Sequence, residues 1–201
     1  MKKNYEMDMC SGPILGKLLT FTIPLIFSGI LQLLFNAADV IVVGRFAGSQ
    51  SLAAVGSTTV ICNTMVNFFN GISIGAGVLI SNYYGARDQE NLQRTIHTIA
   101  SLTVILGVGV TLFSVPWVPF MLKMISTPDD VIGYASVYLR IYFLGLPFLF
   151  MYNVQASVFN SLGDSRTPLY LLIFSSLLNI FLDLVFVIQF GLGVKGVAFA
   201  T

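Results

Sequence analysis

Charged residues are scarce in this sequence: 10 Lys and Arg and 9 Asp and Glu make up 9% of its 201 residues, where a soluble domain carries about 25%. Histidine occurs once and cysteine twice, which excludes the His and Cys clusters of a zinc site and a disulfide framework. The formal net charge of +1 comes without a basic stripe, so nothing predicts a nucleic-acid partner. Hydrophobic residues make up 56% of the chain and the mean hydropathy is +0.85, which favours a membrane protein over a water-soluble fold.

Long stretches without charge predict the membrane spans, because a helical span needs about 20 mainly apolar residues. We predict helices over residues 14–43, 51–84, 95–125, 131–162 and 168–190, and a sixth helix that begins at about residue 196. Residues 44–49, 85–91, 126–130, 163–168 and 191–196 are predicted as the connections. The predicted fold is therefore an all-α polytopic membrane helical bundle with five complete spans plus the start of a sixth. Because that sixth helix stops soon after it begins, we expect a fragment of a longer chain.

The distribution of cations predicts the orientation through the positive-inside rule. One side of the predicted bundle carries Lys2, Lys3, Lys17, Arg87, Arg94 and Arg166. The other side carries Arg45, Lys123 and Lys195, and Arg140 lies within the fourth helix. The excess predicts that the N-terminus is cytoplasmic and that residues 1–13 form a cytoplasmic leader.

Two carboxylates, Asp39 and Asp183, lie inside predicted spans. An ionised Asp at mid-membrane costs about 2.5–3.5 kcal/mol on insertion scales, so such residues face a protein interior or a wet cavity and mark ion pathways. Both lie about 9 Å below the same end of parallel helices, judged by the rise per residue. Thr201 and Tyr138, on helices that run the other way, lie about 9 and 12 Å below that end. All four are therefore predicted in one leaflet, although the sequence does not show that they are adjacent.

Polar residues recur at helical spacing around these acids. Asn179 and Asp183 are four residues apart on one face, and an amide with a carboxylate suits a hard cation or a proton. Gln32 and Asn36 share a face with Asp39. A similar stripe on the second helix consists of Asn63, Asn67 and Asn70. Such stripes either line a water-accessible cavity or form hydrogen bonds between helices, and for the Asn stripe both readings remain open.

Two further residues stand out in the spans. Pro24 removes a backbone hydrogen bond from the first helix, which makes it a candidate hinge. Arg140 either pairs with a carboxylate or extends to the membrane interface.

Several strings resemble the multidrug and toxic compound extrusion (MATE) family of cation-coupled antiporters. The most specific is the stretch from Asn160 to Pro168, which reads NSLGDSRTP. The others are Thr22-Ile23-Pro24, the Asn36–Asp39 stretch followed by Val43-Gly44-Arg45, Leu52-Ala53-Ala54-Val55-Gly56, Gly71 to Gly77, and Tyr84-Gly85-Ala86-Arg87-Asp88. Their order and spacing carry the resemblance, which runs from about Ile14 to Thr201.

The resemblance implies that residues 14–201 form the N-terminal lobe of a twelve-span transporter whose C-terminal lobe is absent. It implies a coupling-ion site for H⁺ or Na⁺ at Asp39, Asn179, Asp183 and Thr201, joined by Tyr138 and, by the same register, by Asn153. The implied function is export of organic, cationic or amphipathic compounds such as drugs across the cell membrane in exchange for that ion. Neither an enzymatic activity nor a cofactor other than the ion is implied, and the partners are the small-molecule substrate, the bilayer and the second lobe.

Three alternatives remain beside this reading. A flippase for lipid-linked saccharides has a related fold, but such flippases more often line the cavity with cations, and only Arg140 is available within a span. An intramembrane aspartyl protease also needs two buried acids, yet neither Ala37-Ala38-Asp39-Val40 nor Phe181-Leu182-Asp183-Leu184 matches a Tyr-Asp or Gly-x-Gly-Asp motif. A noncatalytic anchor subunit would need neither acid.

Overall fold

The computed structural model describes residues 14–201, so the predicted leader lies outside the described residues. The helices are α1 (Ile14–Val42), α2 (Ser49–Gly85), α3 (Gln89–Met124), α4 (Asp129–Ser161), α5 (Arg166–Leu184) and α6 (Val194–Ala200). Two π-helical segments, Val43–Ala47 and Val185–Gln189, extend α1 and α5. The predicted all-α class is confirmed, since no strand occurs within the described range.

Five of these helices are long and apolar enough to cross a membrane, as predicted. They span residues 15–47, 49–85, 89–124, 129–161 and 166–189. We call the end of the bundle that carries Ala47, Met124 and Gln189 the upper end, and the opposite end the lower end. The chain thus runs upward in α1, α3 and α5 and downward in α2, α4 and α6.

The third helix begins earlier than predicted, at Gln89 rather than at residue 95. Asp88 precedes the helix and its carboxylate accepts hydrogen bonds from the backbone N–H and the side-chain amide of Asn91. A carboxylate at this position satisfies a backbone donor that has no partner inside the helix. The polar residues that predicted a loop over 85–91 therefore form a short turn and the first helical turn.

The predicted turn over residues 44–49 is also wrong in its extent. The first helix continues as the π-helical segment Val43–Ala47, and the direction reverses at Gly48, whose φ of 85° favours glycine. The second π-helical segment lies at the same end of α5 and contacts the first. Single π turns inside long helices concentrate at functional sites.

Helices α2 and α4 run parallel and are joined by hydroxyl groups. Ser157 donates to the carbonyl of Ser73 (2.6 Å), and Ser161 donates to the carbonyl of Gly77 (2.9 Å). A Cβ at Gly77 would lie 2.5 Å from the Ser157 hydroxyl oxygen, so a larger residue there would displace the hydroxyls that join the two helices.

Helices α3 and α4 run antiparallel in a similarly close contact. The Thr111 hydroxyl donates to the carbonyl of Phe143 (2.8 Å), and a Cβ at Gly107 would lie 3.0 Å from Cα of Pro147. Together with the α2 contacts, these interactions make α4 the centre of the bundle.

The packed core follows α4. Phe143, Leu146 and Phe150 are all fully buried, and the Phe150 ring packs on Phe69 of α2 at a centroid distance of 4.4 Å. Helix α1 differs, because none of the residues in its most apolar 18-residue stretch is buried. It contacts α5 and becomes buried only at its upper end, at Val42 and at Val43 of the π-helical extension.

Candidate functional site

The two acids predicted within spans meet inside the bundle. The side chains of Asp39 on α1 and Asp183 on α5 interact directly with each other. Asp183 is completely buried, and neither of its carboxylate oxygens has a hydrogen-bond partner among the described residues. The same holds for Oδ1 of Asp39. Two adjacent carboxylates without donors are stable only when a proton or a cation offsets their charge.

A cavity of about 360 Å³ lies between α1 and α5, and we call it the α5-side cavity. Its polar lining from α1 consists of Gln32, Asn36 and Asp39. From α5 come Ser175, Ser176 and Asn179, and from the end of α6 comes Thr201. The predicted polar face of α1 therefore lines a cavity rather than only joining helices.

A second cavity of about 250 Å³ lies on the other side of α1, against α2 and α4, and we call it the α4-side cavity. Tyr138 forms part of its wall, is buried, and stacks on Tyr142 at a ring distance of 6.1 Å. The remaining polar lining consists of Asn36, Asp39, Thr58, Thr59, Cys62, Asn63 and Thr201.

Asn36, Asp39 and Thr201 line both cavities, so they form the wall between them. The Thr201 hydroxyl donates to the carbonyl of Val197 (2.9 Å), which leaves its oxygen free to act as an acceptor or a ligand. The predicted core set of Asp39, Asn179, Asp183, Thr201 and Tyr138 is thus gathered around one point, with Asn179 on one side and Tyr138 on the other.

Other predicted residues lie elsewhere. Of the Asn stripe on α2, Asn63 lines the α4-side cavity, whereas neither Asn67 nor Asn70 lines either cavity as described. The Asn153 amide donates to the carbonyl of Leu149, its own helix. Pro24 lies in an uninterrupted α1, where its carbonyl accepts a hydrogen bond from Ser28.

Sequence reasoning missed several residues of the lining. Three pairs of lining residues are spaced four positions apart, so the two members of each pair share a helix face. They are Thr58 with Cys62, Tyr138 with Tyr142, and Ser175 with Asn179. That spacing was the available signal. It was weak because a lone Ser, Thr, Cys or Tyr in a span commonly bonds its own helix, as Thr58 does to Ala54.

The chemistry of this lining is that of carboxylate, amide and hydroxyl oxygens. Such ligands suit a proton or a hard cation such as Na⁺ better than a soft transition metal. Within residues 14–201, no group of three or more His, Cys, Asp and Glu side chains converges in a way that would hold a metal ion. The carboxylate pair with its neutral oxygens is therefore the element that can exchange charge.

Comparisons with known proteins agree on one family. A family profile described as MatE matches residues 24–185. The Probable multidrug resistance protein YoeA of Bacillus subtilis (strain 168) is 35% identical over 90% of this chain and 40% of its own length. The Probable multidrug resistance protein YpnP of the same strain is 30% identical over 96% of this chain and 44% of its own length.

Among solved structures, a crystal structure of MATE in complex with MaD3S superimposes with a TM-score of 0.90 at 27% identity. The match covers 100% of this chain and 45% of that chain. The chain therefore spans about two fifths of the length of the curated relatives that it matches.

Proposed function

The chain belongs to the MatE family and is an integral membrane protein, and from this premise we propose that it is part of a cation-coupled antiporter that exports organic compounds. The coupling ion, H⁺ or Na⁺, binds at Asp39 and Asp183. Asn179, Thr201 and Tyr138 supply further oxygen ligands or hydrogen-bond partners. The observation that supports this proposal is the contact of the half-buried Asp39 with the fully buried Asp183. Oδ1 of Asp39 and both carboxylate oxygens of Asp183 have no hydrogen-bond partner among the described residues.

Charge at this pair provides a physical means of coupling. Without a bound proton or cation, the charged carboxylates need water from the adjoining cavities to solvate them. A pair neutralised by a proton or a cation does not need that water. Helix α1 is the least buried of the long helices, so a change in its favoured packing costs little. We propose that ion binding changes how α1 packs on α5 and so shifts the balance between conformations open to either side of the membrane. Pro24 remains the candidate hinge for that change.

The proposed orientation places the lower end of the bundle in the cytoplasm. Lys17, Arg87, Arg94 and Arg166 lie toward the lower end, and Arg45, Lys123 and Lys195 lie toward the upper end. Of these cations, four lie toward the lower end and three toward the upper end, and the positive-inside rule favours the end with more cations as the cytoplasmic one.

The substrate is proposed to be an organic cation or an amphipathic compound. No Lys or Arg is found among the described residues that line the two cavities, whereas both contain Asp39. Arg140, the cation within α4, is exposed and lines neither. This lining suits a positively charged compound better than the pyrophosphate of a lipid-linked saccharide.

The test is efflux by the complete transporter in proteoliposomes loaded with a fluorescent organic cation, with a pH gradient and a sodium gradient imposed separately. One of the two gradients drives efflux in the wild type, and Asp39→Asn abolishes that efflux while membrane insertion stays normal. Asp88→Asn is the matched control, because it makes the same change in an exposed turn. Undiminished efflux by Asp39→Asn refutes the proposal.

A further inference from the structure

We infer that the coupling ion reaches Asp39 through the helical bundle itself, from a vestibule at the upper end that a single layer of buried apolar side chains separates from the α4-side cavity. This inference rests on the proposed function, because it assigns an access route to the same carboxylate pair. It adds a vestibule that the ion enters first and an apolar gate below that vestibule, and neither contains Asp39 or Asp183.

The vestibule is a cavity of about 670 Å³ between the start of α2, the start of α4 and the turn that leads into α6. The polar side chains in its wall are Ser51, Asp129, Asp130, Tyr134 and Lys195. Ser51 is buried, with 5% of its surface exposed, whereas Asp129, Asp130, Tyr134 and Lys195 are exposed. We call this cavity the upper vestibule.

The upper vestibule lies directly above the α4-side cavity. On each of four walls, a residue that lines the upper vestibule lies three or four positions from one that lines the α4-side cavity, which is about 4.5–6 Å along a helix. The upper and lower member of each pair are Ala47 and Val43, Ser51 and Val55, Tyr134 and Tyr138, and Val194 and Val197. Four independent segments give the same offset, so the two cavities are stacked on one axis with one helical turn between them.

The layer between the cavities is apolar and closely packed. Val43 and Ala54 are fully buried, Val197 is 2% exposed and Val194 is 4% exposed, and all four belong to one buried cluster. We call these four residues the apolar layer. A narrow apolar constriction excludes water and ions until its walls separate, and a small movement is enough to wet it.

The charges on the two sides of the apolar layer favour cations. The upper vestibule carries two carboxylates against one ammonium group, and such a wall concentrates cations near its mouth. Asp129 and Asp130 also begin α4, where acidic residues stabilise a helix N-terminus, so they do not by themselves indicate a site. The independent observation lies below the layer, where the buried Oδ1 of Asp39 has no hydrogen-bond partner among the described residues.

The competing route enters from the side. Val40, Thr59 and Asn63 are exposed and line the α4-side cavity, so this cavity also opens between α1 and α2. A residue that blocks the upper vestibule and one that blocks the side opening therefore distinguish the two routes.

Cys62 provides the reporter, because this free thiol lines the α4-side cavity beside Asp39. The experiment uses the complete transporter in sealed membranes, with its other cysteines replaced, and adds Ag⁺ from the side of the upper vestibule. The rate of Cys62 modification is read as the loss of thiol available to a maleimide after denaturation. We expect Ser51→Trp, which fills the upper vestibule, to slow modification by about tenfold or more. Thr59→Trp, at the side opening, is expected to slow modification less than Ser51→Trp does.

An unchanged rate in Ser51→Trp, or a decrease in Thr59→Trp alone, overturns the inference. Should Ser51→Trp fail to fold, Ser51→Cys in a Cys62→Ser background is capped after folding with a bulky maleimide. Capping is then expected to slow ion-driven efflux without changing the affinity for the organic cation, and unimpaired efflux overturns the inference. The Ag⁺ measurement does not depend on coupling. If Asp39→Asn keeps full efflux while Ser51→Trp still slows the modification of Cys62, the proposed function is contradicted and the access route is not.

Discussion

The carboxyl groups of Asp39 and Asp183 contact each other across the interface between α1 and α5, where residues 14–201 supply no hydrogen-bond donor to Oδ1 of Asp39 or to either oxygen of Asp183. The two residues stand 144 positions apart in the sequence, yet each lies just before a π-helical segment, which begins four residues after Asp39 and two residues after Asp183. Their juxtaposition gives the first prediction.

Asp39→Asn, Asp183→Asn and the double variant form a cycle that tests whether the two acids act as one unit. Residues that hold one ion together are non-additive, because the first substitution already removes the site. We expect each single variant to lose at least about tenfold in ion-driven efflux and the double variant to lose no more than the worse single. Efflux by the complete transporter in proteoliposomes is the measurement. Losses that multiply in the double variant would show two independent roles.

Tyr138→Phe tests the hydroxyl at the wall of the α4-side cavity. The ring is buried and stacks on Tyr142, so Phe keeps the packing and removes only the oxygen. A hydrogen bond to a charged group contributes about 1.5–3 kcal/mol, so the affinity for the coupling ion is expected to fall by about tenfold or more. Ion-dependent protection against thermal unfolding gives the affinity. Tyr152→Phe, at a hydroxyl that donates to Pro168 away from both cavities, is the comparison and leaves the affinity unchanged.

Gly107→Ala tests the close contact between α3 and α4. The new Cβ would lie 3.0 Å from Cα of Pro147, so the two backbones must move apart. Overpacking of this kind costs about 1–3 kcal/mol. Gly109→Ala, two residues along the same helix, meets nothing within 4 Å and is expected to be neutral. Thermal unfolding of the purified protein in detergent compares the two, and equal stabilities would contradict the packing described.

Asp164→Ala tests the turn between α4 and α5. The buried Asp164 carboxylate accepts hydrogen bonds from the backbone N–H groups of Arg166 and Thr167 and from the Thr167 hydroxyl. Loss of these bonds is expected to cost about 1–2 kcal/mol, and Asp164→Asn to cost less because one acceptor oxygen remains. Chemical denaturation in mild detergent ranks the variants. An Asn variant less stable than the Ala variant would contradict the assignment.

Asp88 gives a prediction on pH. The side-chain amide and backbone N–H of Asn91 hold the pKa of the Asp88 carboxyl below its ordinary value of 3.8. A lowered pKa in the folded state means that this stabilisation is complete above the ordinary value and is lost as the pH falls through the lowered one. Hydrogen exchange at the Asn91 amide, measured relative to the intrinsic exchange rate at the same pH, is therefore expected to accelerate in acid below about pH 4. Asp88→Asn, which keeps the cap without a titrating group, removes that acceleration.

Much of the fold follows from the sequence because charge-free stretches of the right length leave few alternatives. The five spans are examples, and so is the common depth of Asp39 and Asp183. The π-helical segments were missed because the Gly44-Arg45 pair reads as a turn, and a single extra residue in a helical turn has no compositional signal.

The candidate site was only partly predictable, since spacing along one helix does not show which helix lies opposite. The polar face of α1 was recognised from Gln32, Asn36 and Asp39, and it does line a cavity. The stripe on α2 had equally good spacing, yet only Asn63 reaches the α4-side cavity. The packing of α4 on α2 determines which side of α2 faces the cavity. The hydrogen bonds from Ser157 and Ser161 to the carbonyls of Ser73 and Gly77 fix the rotation of α2 about its axis.

The register between α3 and α4 also determines how deep Arg140 lies in the bilayer. Antiparallel contacts at Gly107 with Pro147 and at Thr111 with Phe143 place Arg140 level with Ser114, one turn below Trp117. Tryptophan concentrates at the boundary between lipid and water, and Trp117 is exposed in a row with Phe113 and Phe120. A guanidinium at that level is expected to reach the phosphate headgroups, because its long apolar stem lets the charge extend toward water. We therefore expect the membrane surface, rather than Asp39 or Asp183, to balance the charge of Arg140.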